Sequence, residues 1–192
     1  MAKPASDLTP KARRTRASLI EAARVVIGQE GVSGVTVMEV CDRAMVGRTS
    51  FYNYFEDADQ LIWSVVEETS QSLKNQFDAL HEGQSRGLAR LERCLEMILN
   101  LAVDDRETAM LITSLSQNTH TKPKLLNQEI EKELAGANRT GELSLTDEKR
   151  ESLTQFLAIT TMAICRELAL GSLGKDQITP QVGIMISACR SE

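Results

Sequence analysis

The chain has 192 residues, 42% hydrophobic and 26% charged, with a net charge of −5. This is a globular composition with enough apolar content for a sizeable core, which excludes a fibrous or natively unfolded chain. Cys41, Cys94, Cys165 and Cys189 are far apart, and with only His81 and His120 beside them no metal-ligand spacing arises, so neither metal nor cofactor is expected.

Apolar residues recur at three and four positions almost throughout and strand signals are nearly missing, so the spacing predicts an all-α protein. Residues 1–8 read as disordered. Thr9-Pro10 is a helix start, with Thr9 as N-cap and proline at the first helical position. This helix runs to Glu30 with Leu19, Ile20, Ala23, Val26 and Ile27 on one face, and Gly31 stops it. A second helix opens at Thr36 with a capping box to Glu39 and buries Val37, Val40, Cys41 and Ala44. After a turn at Met45-Val46-Gly47, a third is predicted over 48–55. Asp57 with Gln60 caps a long fourth helix ending near His81. Helices follow near 86–103, 105–118 and 122–135, then a loop over 136–146 rich in Gly, Asn and Thr. The last two lie near 147–170, capped by Asp147, and 178–190, started by Thr179-Pro180. The N-terminus lacks the apolar segment of a secretion signal. The longest apolar run, Leu157–Cys165, is broken by threonines and closed by Arg166, short of a membrane span. A cytoplasmic protein with reduced thiols is expected.

Charge and aromatics single out the N-terminal region. Residues 1–55 carry eight Lys/Arg against five acids, a net of +3, while the remainder carries fourteen against twenty-two, a net of −8. Opposite signs suggest a basic face for a polyanion and an acidic body toward solvent. Five of the seven aromatics (Phe51, Tyr52, Tyr54, Phe55, Trp63) fall within thirteen positions. In the third helix Phe51 and Phe55, four apart, would anchor one side on the core. Arg48, Thr49, Ser50, Tyr52, Asn53 and Tyr54 would then point outward. Arginine can be bidentate to guanine and asparagine to adenine, while hydroxyls suit phosphate oxygens. Lys11, Arg13, Arg14 and Arg16, at the start of the first helix, would track the backbone or enter the minor groove. Thr36, at the head of the second helix, joins the candidate DNA contacts.

Residues 13–66 resemble the N-terminal domain of TetR-type transcriptional regulators. The matching residues are Ile20, Ala22, Ala23 and Gly31, then Thr36, Val37, Val40, Ala44, Val46, Arg48, Tyr52, Phe55 and Leu61. The resemblance implies a helix-turn-helix unit over 36–55 within a DNA-binding domain, residues 1–56. It implies a helical ligand-binding and dimerisation domain over 57–192. Four positions depart from the family pattern. Met45 stands where a turn glycine is usual and Gly47 where a serine cap is usual. Tyr54 replaces a histidine, and Ala58 replaces a lysine at the head of the fourth helix.

The C-terminal pair of helices is apolar over more than one side, which supports pairing with a second copy. Phe156, Ile159, Ile164, Val182, Met185 and Ile186 are the candidate dimer contacts. The resemblance further implies a small-molecule effector held by the middle helices. Candidate lining residues are Trp63, Val66, Ser70, Phe77, Cys94, Ile98, Leu101, Met110, Thr113, Ser114, Gln117 and His120. No charge cluster dictates an ionic effector, so an uncharged or amphipathic molecule is expected, and Cys94 is a candidate redox sensor. The expected function is a homodimeric transcriptional regulator, a repressor that binds a palindromic operator in double-stranded DNA and is released by its effector. The alternative is a helical interaction protein that acts through a protein partner. No nucleophile–base pair, paired carboxylates or phosphate-cradling loop points to an enzyme.

Overall fold

A computed structural model describes residues 9–80, 83, 85–117 and 124–190, and every regular element among them is helical. The readings made for residues 1–8, His81 and His120 fall outside the described residues. In chain order the helices are α1 (Pro10–Glu30), α2 (Val37–Ala44), α3 (Arg48–Phe51), α4 (Ala58–Leu80), α5 (Leu88–Asp104), α6 (Arg106–Gln117), α7 (Lys124–Thr140), α8 (Asp147–Leu170) and α9 (Ile178–Arg190). The chain divides into two compact units, the first running through Gln71 and taking in α6 from Met110, the second comprising Ser72–Ala109 and the chain after the α6–α7 connection. The division by packing falls inside α4.

Local signals place the N-terminal helices. The Thr9 hydroxyl accepts from Ala12 N at 3.3 Å, and Gly31, at φ +79°, closes α1 by donating to Ile27 O. Thr36 Oγ1 accepts from Glu39 N at 3.1 Å, while the Glu39 carboxylate turns to Arg43 at 3.5 Å. At the start of α4, Asp57 accepts from Gln60 N at 2.8 Å, and the Gln60 side chain accepts from Glu56 N rather than from Asp57 itself. These helices bury one core: Leu19, Ala23, Val26 and Ile27 of α1, Val40 and Cys41 of α2, Phe51 and Phe55, Leu61 and Val65 of α4, and Leu111 and Leu115 of α6. Val37 and Ala44 pack at its edge, half-buried.

In the second unit α5 packs against α7, α8 and α9. Its Leu91, Cys94, Leu95, Ile98 and Leu99 are buried, as are Ile130 and Leu134 of α7, Leu157 and Cys165 of α8, and Val182 of α9. Two predicted details are corrected. Residues 136–140, read as loop, complete α7. Gly136 does not break the helix; a Cβ there would lie 2.4 Å from Arg86 Cβ, so the glycine lets α7 approach the segment before α5. Asn138 then ties the chain beyond the helix, donating to Leu145 O at 2.8 Å and accepting from Leu145 N at 3.0 Å. The cap of α8 is Thr146, whose hydroxyl accepts from Lys149 N; Asp147 is the first helical residue and pairs with Arg150 at 2.8 Å.

Carboxylates organise the head of α5. Glu133, fully buried, holds Arg86 at 2.9 Å and Arg90 at 3.2 Å through one oxygen and accepts from Gly87 N at 3.1 Å through the other. Glu142 accepts from Leu88 N at 3.2 Å. Negative charge at a helix N-terminus satisfies free N–H groups and complements the helix dipole. By length and composition α8 is apolar enough to cross a membrane, with a mean hydropathy of 1.3 over its most apolar stretch. Leu157, Thr161, Cys165 and Leu168 are nevertheless buried within this unit, and Thr161 donates to Leu157 O at 2.6 Å.

Candidate nucleic-acid interface

The turn between α2 and α3 is built by a methionine in left-handed conformation. Met45 has φ 53° and ψ 41°, the one non-glycine at positive φ among the described residues. Val46 N donates to Cys41 O at 2.9 Å and Met45 N to Asp42 O at 3.2 Å, which closes α2 as a Schellman motif. The Met45 side chain is 93% exposed and contributes no packing. A Cβ in this conformation costs about 1–2 kcal/mol, partly offset by the greater chain entropy a glycine would lose. Met45→Gly is accordingly expected to stabilise the protein by about 1 kcal/mol, read as a higher urea midpoint at unchanged m value.

Gly47 supplies no side-chain cap, but its carbonyl accepts from Ser50 N at 2.8 Å and Phe51 N at 3.1 Å. The regular helix that follows is shorter than the predicted 48–55, ending at Phe51. The chain still coils for one further turn, because Tyr54 N and Phe55 N both donate to Phe51 O, at 2.8 and 3.0 Å. Phe51 and Phe55 are buried with ring centroids 5.6 Å apart. Their burial fixes which side of the segment faces out. Arg48, Thr49, Tyr52 and Asn53 are exposed; Ser50 is half-buried, and Tyr54, also half-buried, packs against the core. Thr36 is exposed at the head of α2, and Lys11, Arg13 and Arg14 are exposed in the first turns of α1. The outward set combines a guanidinium, an amide and hydroxyls, the donors suited to base edges and phosphate oxygens. Behind it, burial raises the Cys41 thiol pKa, against the pull of the nearby Arg48 charge.

Arg16, expected with Lys11, Arg13 and Arg14 to follow a phosphate backbone, donates to Ser64 Oγ at 3.1 Å, pairs with Glu68 at 3.4 Å, and lies over the Phe55 ring at 5.2 Å from the centroid. Its polar partners are 48 and 52 positions away in sequence, so no local pattern could have identified the arrangement. Along α1 there is also a cleft of about 660 Å³ lined by Ala17, Glu21, Arg24, Val25, Arg43, Ala44 and Glu68. It shares no residue with the predicted effector set.

The predicted effector residues are distributed over both units. In the first, Trp63 is 53% exposed, because the buried side of α4 is formed by Leu61, Ile62, Val65 and Thr69. Val66 packs at the core edge, Ser70, Met110 and Ser114 are half-buried, and buried Thr113 donates to Met110 O at 3.1 Å. Gln117 closes α6. In the second unit Phe77, Cys94 and Ile98 are core residues and Leu101 is half-buried. Burial, reinforced by the charges of Glu133 and Glu129, pushes the Cys94 thiol up to about 12. Burial of this kind disfavours the thiolate, and with it redox reactivity, at neutral pH.

The predicted dimer residues also divide. Val182, Met185, Ile186 and Ile164 are buried in the protomer's own core, whereas Phe156 (51%) and Ile159 (70%) are exposed. Ile184, at 65%, and Leu170, at 44%, are further exposed apolar residues. On α9 helical spacing separates them: Val182, Met185 and Ile186, at three- and four-residue spacing, face the core, while Ile184 faces solvent.

Residues 19–65 match the profile of the tetR family of bacterial regulatory proteins. No curated protein matches the chain in sequence. Among solved structures, the fatty acid degradation regulator FadR from Bacillus halodurans is similar over 97% of this chain and 100% of its own, at 15% identity and a TM-score of 0.75. The transcriptional regulator FadR from Bacillus subtilis, solved in complex with stearoyl-CoA, is similar over 89% of this chain and 97% of its own, at 15% identity and a TM-score of 0.74. A TetR-like transcriptional regulator from Rhodococcus sp. RHA1 covers 94% and is covered over 97%, at 14% identity and a TM-score of 0.72. At such identities the likenesses carry the fold: an all-α chain with an N-terminal helix-turn-helix domain and a helical remainder.

Proposed function

We propose that this chain, whose residues 19–65 match the tetR family profile, is a cytoplasmic homodimeric repressor that binds a palindromic operator and is released by a small-molecule effector. The observation that carries the reading is the two-sided segment 48–55, whose buried Phe51 and Phe55 leave Arg48, Thr49, Tyr52 and Asn53 facing outward beside the exposed Lys11, Arg13 and Arg14. Arg48 and Asn53 read base edges; Thr36, Thr49, Ser50, Tyr52, Tyr54, Lys11, Arg13 and Arg14 hold phosphates. The two roles separate experimentally. In binding measurements across a panel of duplexes, Arg48→Ala is expected to cost about 1–3 kcal/mol on the preferred site and to relax preference at one base position. Arg13→Ala weakens all duplexes alike and lowers the salt slope by about 0.9. If Arg48→Ala instead weakens every duplex equally, its assignment to base readout fails.

One short recognition segment spans too few base pairs for a specific site, and two-fold pairing doubles the contact. The surface for it is the exposed apolar side of α8 and α9, formed by Phe156, Ile159, Leu170 and Ile184. Phe156→Ser with Ile159→Asp is expected to convert the dimer to a folded monomer in analytical ultracentrifugation and to weaken operator binding at least tenfold. A double variant that stays dimeric would place the interface elsewhere. The effector is uncharged or amphipathic. The acyl-CoA held by the FadR from Bacillus subtilis is a precedent for an amphipathic ligand on this fold.

A further inference from the structure

Resting on the DNA-binding reading, we infer that Arg16 is a positioning residue, which sets the orientation of the base-reading segment from behind without touching DNA. Its guanidinium lies over the ring of Phe55, 5.2 Å from the centroid. Phe55 ends the reading segment and is itself packed on Phe51. A cation over an aromatic face is held by the ring quadrupole, most strongly where water is excluded. Phe55 is 1% exposed and the Arg16 side chain only 24%, so the contact lies largely away from solvent.

The guanidinium is fixed in turn by α4. It donates to Ser64 Oγ at 3.1 Å and pairs with Glu68 Oε1 at 3.4 Å. Ser64 Oγ donates to Gln60 O, so the serine is itself oriented. The second carboxylate oxygen of Glu68 takes Arg24 at 3.6 Å. One glutamate thus bridges two arginines spaced two turns apart on α1. Planar guanidinium groups suit this role because they stack and donate at once, which a lysine ammonium does less well. The arrangement clasps α1, α4 and Phe55 at a single point. Each of its members is spent on another protein group, and Lys11, Arg13 and Arg14 on the same helix are exposed.

A residue acting this way affects the discrimination between sites more than the charge that binds them. The test compares wild type with Arg16→Met, Arg16→Lys, Glu68→Gln and Arg13→Ala on two duplexes, the site preferred by the wild type and a scrambled version of it. Affinities are measured over a salt series, with active fractions fixed by stoichiometric titration. Arg16→Met is expected to lower the preferred-to-scrambled affinity ratio about tenfold at an unchanged salt slope. Glu68→Gln, which removes no positive charge, should lower the ratio in the same direction. Arg16→Lys should recover part of it. Partial unfolding reduces the active fraction and leaves the ratio as it was, so the ratio separates positioning from simple destabilisation. If Arg16→Met lowers the salt slope as Arg13→Ala does while Glu68→Gln changes nothing, Arg16 is a phosphate contact and the inference is overturned. An unchanged ratio in both variants overturns it as well. A wild-type protein that prefers no duplex overturns the DNA reading itself, and the clasp with it.

Discussion

Replacing Glu133 by alanine is expected to destabilise the protein by about 3–5 kcal/mol, the range for breaking a buried ion pair by deleting one partner. Glu133 is fully buried and its two oxygens serve three donors: Arg86 at 2.9 Å, Arg90 at 3.2 Å and the Gly87 amide at 3.1 Å. Arg90, its side chain 11% exposed, would lose the Glu133 carboxylate facing its charge. The amide at the head of α5 would lose its acceptor at the same time, and a buried unsatisfied donor is costly by itself. Glu133→Gln keeps an acceptor for Gly87 but removes the charge, so it should fall between wild type and alanine. Urea denaturation followed by far-ultraviolet circular dichroism measures both. A loss below about 1 kcal/mol for alanine, the size of a surface ion pair, would show that the two arginines are already well hydrated.

The second large effect is at Phe51. Phe51→Ala is expected to cost about 3–5 kcal/mol and to abolish sequence-selective DNA binding. The ring is fully buried, lies 5.6 Å from Phe55 by centroids and meets the edge of Tyr52 at 5.4 Å. It is the apolar anchor of a helix only four residues long, Arg48–Phe51. So short a helix has little stability of its own and depends on burial. Phe51→Leu keeps most of the buried area, should cost less than half as much, and should retain weakened binding. If Phe51→Ala bound the preferred duplex as the wild type does, the orientation of Arg48 and Asn53 would not depend on this anchor.

What could be read from the sequence were features whose cause is local. Thr9-Pro10, Thr36 and Gly31 mark the bounds of α1 and the start of α2 through contacts within four residues. The four-residue spacing of Phe51 and Phe55 places both in the core for the same reason. What could not be read were features decided by distant partners. Gly136 looks like a helix breaker until Arg86 is found packed against it. Arg16 looks like a phosphate contact until Phe55, Ser64 and Glu68 are found around it. Glu133 gives no sign of burial, since Arg86, its partner, is 47 positions away. The candidate dimer residues show the same limit on a smaller scale. An apolar residue on a helix that is apolar nearly all round can face the core or a partner, and only the packing of α9 against α5 shows that Val182 and Met185 face inward while Ile184 does not.

The central claim is that residues 36–55 read DNA. Its most direct test is a selection of random duplexes by the wild-type protein at moderate salt, followed by sequencing of what is retained. The account predicts enrichment of an inverted repeat, with a salt-dependent affinity reflecting contacts to phosphates in both half-sites. Retention of no common sequence, or of duplexes with no dependence on salt, would contradict it.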